Sequence, residues 1–144
     1  MSVLAMAASK PVDPRNNRLA MAEAAIAALK DDYKEQLRAD TQQLSSIWAA
    51  SDTLDPDAEC AEALFSIAHN LKGQAGTFGY DLVTSAAASL CDLLRGGRPG
   101  GEKAKAIGHH ISVLNRIVEK DVEGTGGEMG AKVLKALQAL SREI

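Results

Sequence analysis

The stretch His69-Asn70-Leu71-Lys72-Gly73-Gln74-Ala75-Gly76-Thr77-Phe78-Gly79 decides how this chain reads. It continues an apolar repeat, Ala61, Leu64, Ala68, Leu71 and Ala75, whose three-and-four spacing turns one face of a helix toward a core. His69 stands off that repeat. Each helical step rotates about 100°, so Glu62, Phe65, Lys72, Gly73 and Gly76 share its face. Two glycines within a helix cost on the order of 1 kcal/mol each relative to alanine, and so call for a reason. Close approach by another molecule is one; tight packing of helix on helix is the other. Phe65 likewise reads either as a contact for a partner or as the edge of a broad apolar stripe. Gly79, directly after Phe78 and before a new apolar repeat, reads as a left-handed helix terminator.

An imidazole, with an ordinary pKa of about 6.5, is largely neutral at pH 7 and offers a nucleophilic nitrogen. It can accept a phosphoryl group. Lys72, one turn away, would attract the incoming phosphoryl oxygens. The missing Cβ atoms of Gly73 and Gly76 would admit a partner's active-site loop for in-line displacement, whose loose transition state depends on positioning and charge neutralisation.

His69-x-Leu71-Lys72-Gly73 followed by Ala75-Gly76-Thr77-Phe78-Gly79 resembles the histidine-containing phosphotransfer (HPt) domains of two-component signalling, including those of chemotaxis kinases. More loosely the resemblance covers Tyr33 to Val122. It implies a monomeric antiparallel four-helix bundle with His69 as the exposed, phosphorylated residue midway along one helix. It implies response-regulator receiver domains and a histidine kinase as partners, with Mg²⁺ supplied by the receiver and no cofactor of the chain's own. Many members place Gln or Glu on the next helix to hydrogen-bond the histidine's other nitrogen; here Cys91 falls there. Arg95, one turn later, aligns with a position that is basic in some members and would add positive charge near the site.

The function so implied is a phosphocarrier that moves a phosphoryl group on His69 between a kinase or receiver aspartate and another receiver aspartate. Glu62 and Phe65 are the expected docking contacts. The alternative is a module that binds a receiver or kinase and sequesters or inhibits it without passing phosphate on. No nucleotide-binding pattern is present, so ATP-dependent kinase activity is not expected of the chain itself.

The 144 residues suffice for one domain with a real core. Five aromatics, abundant alanine and the lack of alternating stretches point to an all-α chain: the four-helix bundle with extra N-terminal and C-terminal helices. The net charge of -3 arises from 16 basic and 19 acidic residues interspersed without a basic run, which argues against nucleic acid. No stretch approaches the roughly 18 apolar residues of a membrane span, and the Val3 to Ala8 run is too short for an export signal. A cytoplasmic location follows as the expectation. Cys60 and Cys91 lack metal-ligand spacing and read as reduced, with Cys91 half-buried. His109 and His110 diverge by about 100° on a helix and do not form a metal face.

Residues 1–18, with Pro11 and Pro14, read as a mobile tail. Residues 19–123 read as the bundle. Ala22, Ile26, Leu29, Tyr33 and Leu37, then Leu44, Ile47 and Trp48, keep helical spacing on either side of Asp40-Thr41, where Asp40 is a candidate cap; one bent helix and two helices both fit. The His69 helix is expected from about Pro56 to Thr77, the next from Tyr80 to Arg95 with Leu82, Ala86, Leu90 and Leu93 inward. Gly96 to Gly101 makes a break. Ala104, Ile107, Ile111, Leu114 and Val118 mark the last bundle helix. Residues 124–144 read as a flexible Gly-rich joint and a short closing helix carrying Val133, Leu137, Leu140 and Ile144. That helix either packs on the leading helix or docks in a partner's groove. Gly124 to Lys132 has neither the preceding strand nor the Gly-Lys-Ser/Thr ending of a phosphate-binding loop.

Overall fold

The computed structural model describes residues 14–95 and 100–142. Among them are five α-helices, one 3-10 turn and no strand: α1 (Pro14–Ala50), α2 (Ala58–Gln74), the 3-10 turn (Ala75–Phe78), α3 (Asp81–Leu94), α4 (Glu102–Glu119) and α5 (Gly127–Arg142). The expected all-α class is observed. Gly96 to Pro99 and Ile144 lie outside the described residues, as does the tail up to residue 13.

The leading helix and the first bundle helix are one helix of 37 residues, which begins at Pro14 inside the stretch expected to be tail. Asp40 does not cap a second helix. Its carboxylate accepts a bond from Gln36 Nε2 at 2.8 Å, and Thr41 Oγ1 donates within the helix toward Leu37 O and Arg38 O, both at 3.1 Å. Both side chains thus find partners without interrupting the backbone ladder. The chain divides after Tyr33 into two compact units. In the first, Leu19, Met21, Ile26 and Leu29 are exposed.

The second unit holds the bundle. Asp52 Oδ1 accepts from the backbone N–H groups of Leu54 and Asp55, closing a turn. Asp57, extended at φ -85°, ψ 174°, then caps α2 by accepting from Cys60 N at 2.8 Å. Ala61, Leu64, Ala68, Leu71 and Ala75 are all buried, as their spacing predicts. After Gln74 the helix tightens into the 3-10 turn, ended by Gly79 at φ 88°, whose N–H reaches the carbonyls of Ala75 and Gly76.

Helix α3 is the centre of the bundle and packs against α2, α4 and α5. Its predicted inward stripe Leu82, Ala86, Leu90 and Leu93 is buried, and so is a neighbouring stripe of Val83, Ala87, Cys91 and Leu94. In α4 the whole predicted stripe from Ala104 to Val118 is buried. Asn115 ties α4 to α1: its Nδ2 lies 2.7 Å from Ser45 Oγ and 3.1 Å from Thr41 O. A Cβ on Gly108 would stand 3.2 Å from Trp48 Nε1, so the indole packs where that side chain is missing.

Two expectations about the C-terminal part are corrected. The Gly-rich joint is latched: Gly124 N–H donates to Gly79 O at 2.6 Å, and Leu82 N–H donates to Gly124 O at 2.8 Å. The latch follows a left-handed turn through Asp121 and Gly124, at φ 52° and 61°. Asp121 accepts from Tyr80 Oη at 3.1 Å and from Lys34 Nζ at 3.0 Å, joining three distant parts of the unit. Helix α5 then packs on α3 and α4, with Leu137 fully buried, because that is where the latch directs the chain. It is not short, at 16 residues.

Candidate functional site

The face of α2 opposite its buried stripe carries Glu62, Ser66, His69, Asn70 and Gly73, all exposed, with Phe65 half-buried among them. A cleft of about 540 Å³ opens along this face. Its floor and rim are Ala58, Ala61, Glu62, Phe65, Ser66, His69 and Asn70 of α2, and Leu94 and Arg95 at the end of α3. Four of the residues singled out from sequence, Glu62, Phe65, His69 and Arg95, therefore meet at one place. Ser66 and Asn70 were not singled out from sequence, although helical spacing sets Ser66 one turn before His69 and Asn70 directly beside it. Nor was Leu94, since it reads only as a continuation of the α3 core.

The His69 and Phe65 rings stack, with centroids 5.7 Å apart and planes 16° from parallel. No described residue hydrogen-bonds the imidazole, and His69 is exposed. Cys91 cannot take the orienting role: it is fully buried, not half-buried as expected. Burial pushes its thiol up, while the positive charges of Lys72 and Arg95 oppose that shift. Lys72 and Arg95 thus both act electrostatically over the region where α2 meets α3. Arg95 also donates to Asp92 Oδ1 at 2.7 Å in an exposed pair, an arrangement worth at most about 1 kcal/mol and readily exchanged for another anion.

The two glycines separate. A Cβ built on Gly73 would meet nothing within 4 Å, so packing inside the bundle does not call for a glycine there. A Cβ on Gly76 would stand 3.2 Å from Thr84 Oγ1 and 3.9 Å from Asp81 Oδ1, so this glycine lets the end of α2 close onto α3. Lys72, Gly73 and Gly76 do not line the cleft.

The other histidines differ from His69 in kind. His109 is exposed, and His110 is fully buried. His110 Nδ1 lies 2.7 Å from Ala106 O, a pure acceptor, which places the ring proton on Nδ1. Nε2 then accepts from Ser89 Oγ at 2.8 Å, and Ser89 Oγ is 3.3 Å from Ser141 Oγ of α5. Burial lowers the His110 pKa, its bond to Ala106 O raises it less, and the neighbouring His109 lowers it further. No group of three residues able to hold a metal occurs among the described residues.

A helical bundle with an exposed histidine on one face and glycine one turn beyond defines a class, and comparison of the sequence with protein-family models agrees with it. The family model described as Hpt domain matches residues 28–141. The chain belongs to the Hpt domain family. That family carries out phosphotransfer in two-component signalling and works with response-regulator receivers and kinases. Comparison with curated proteins and with solved structures finds no match. No helix among the described residues is long and apolar enough to cross a membrane.

Proposed function

We propose that this chain is a phosphorelay intermediate that carries the phosphoryl group on His69. The observation that carries the reading is His69 itself, exposed beside an open cleft, with an unpaired imidazole and unobstructed space over Gly73. The lone pair of the unprotonated ring nitrogen attacks the phosphorus of a receiver's aspartyl phosphate or of a kinase's phosphohistidine. The new N–P bond forms as the bond to the donor breaks, and the electron pair leaves with the donor. The reverse displacement hands the group to another receiver aspartate. Mg²⁺ belongs to the receiver. Glu62 and Phe65 form the docking contacts, apolar contact giving adhesion and charge giving selection. Lys72 and Arg95 supply positive charge that favours the phosphoryl oxygens.

A second reading rests on the imidazole's lack of a hydrogen-bonded orienting partner: a module that binds a receiver or kinase and holds it without phosphate transfer. One experiment separates them. Acid-labile phosphate is followed on the wild type and on His69→Gln after mixing with phosphorylated receivers and autophosphorylated kinases. Label on the wild type alone that chases onto a second receiver supports the relay. Partners that bind both proteins while label never appears would establish the sequestering module.

A further inference from the structure

Of the six large apolar side chains that are exposed among the described residues, four lie within eleven residues of α1: Leu19, Met21, Ile26 and Leu29. Leu19, Ile26 and Leu29 are 59%, 63% and 57% exposed. With Ala22 they follow a 3-4-3 spacing, the seam of a two-stranded coiled coil, in which Leu19 and Ile26 take one core position and Ala22 and Leu29 the other. Contiguous apolar surface of this kind marks an interaction site. From residue 14 to residue 33 the helix carries three basic residues (Arg15, Arg18, Lys30) and three acidic ones (Glu23, Asp31, Asp32). A neutral helix with no basic face lacks the attraction that holds an interfacial helix on an anionic membrane.

The charges flanking the seam instead suit a second copy. Arg18 and Glu23 lie on opposite flanks, five residues apart, which is the separation at which flanking residues of two parallel strands meet. Symmetry makes that pair twice. Antiparallel overlay of the same four seam residues would instead set Glu23 against Glu23. We infer that the N-terminal part of α1 pairs two copies of this chain as a short parallel coiled coil through Leu19, Ala22, Ile26 and Leu29. Two heptads give a weak, concentration-dependent dimer rather than the monomer that the resemblance implied.

Sedimentation of the full chain from micromolar to near-millimolar concentration tests this, with Ile26→Glu and Ala22→Cys beside the wild type. The weight-average mass of the wild type should rise toward twofold, and Ile26→Glu should remain monomeric at unchanged helical content. In a parallel pair each seam residue meets its own copy, so Ala22→Cys should oxidise to a disulfide-linked dimer; the native cysteines are buried and give little background. A wild type that stays monomeric throughout would overturn the inference, as would a dimer indifferent to Ile26→Glu or one in which Ala22→Cys fails to cross-link. Co-sedimentation of monomer with anionic phospholipid vesicles would assign the stripe to lipid instead.

Discussion

Phe65 and His69, one helical turn apart, lie with their rings nearly parallel, so that the apolar floor of the cleft and the imidazole form a single surface. A partner that reaches the imidazole must cover Phe65. Phe65→Asp should therefore lower kcat/KM for phosphoryl transfer by roughly 30-fold, the effect of losing about 2 kcal/mol at a central docking contact. Far-ultraviolet circular dichroism should be unchanged, because the ring is only half-buried. Equal transfer rates in the two proteins would remove Phe65 from the docking surface.

Gly73 and Gly76 should respond in opposite ways to one added methyl group. Gly73→Ala gains helix propensity in open space and should stabilise the fold by about 0.5–1 kcal/mol. Gly76→Ala must push Thr84 Oγ1 aside and should lower stability. Gly73→Leu adds bulk where a partner approaches, and should slow transfer without lowering the unfolding midpoint. Urea titration read beside the transfer rate checks all three.

The pH dependence of stability is set by His110 near neutrality. Its folded pKa lies below the ordinary value, because burial disfavours the imidazolium. The unfolded chain therefore binds the proton first, and stability falls as pH drops below about 6.5, levelling only once the folded protein also takes the proton. Denaturant unfolding at pH 7 and pH 5 should show this loss in the wild type and a flatter profile in His110→Gln. Asp121 acts in a different window. The Lys34 hydrogen bond holds its carboxyl below the usual range, so its contribution persists above the ordinary Asp pKa and is lost only at strongly acid pH.

Ser89→Ala removes the donor to His110 Nε2 and leaves a buried acceptor without its partner. The expected cost is about 1–3 kcal/mol. Phosphoryl transfer at saturating partner should be unchanged below the unfolding transition, since neither Ser89 nor His110 lines the cleft. A loss of transfer in the folded variant would contradict that separation.

The core of this fold was legible because helical periodicity is a direct record of burial: every residue assigned to the inward stripes of α2, α3 and α4 is buried. The placement of the candidate site was legible for the same reason in reverse: Glu62 and Phe65 share with His69 a face off the buried stripe, and the three line one cleft. Asp40-Thr41 misled because both residue types favour caps as strongly as they tolerate a helix interior, and only local bonds to Gln36, Leu37 and Arg38 decide between them. Spacing alone also assigned Ile26 and Leu44 the same meaning, although one is exposed and the other fully buried. The two readings of Gly76 could be separated only once Thr84 stood beside it.

The latch between Gly124, Gly79 and Leu82 is made wholly of main-chain groups from segments distant along the chain. Most other bonds in the bundle join residues one turn apart and can form as each helix nucleates. The latch has to wait until α3 and α4 lie side by side, since before then closing so long a loop costs entropy that nothing offsets. The turn that ends the His69 helix thus gains its main-chain partner at Gly79 only after α4 has docked.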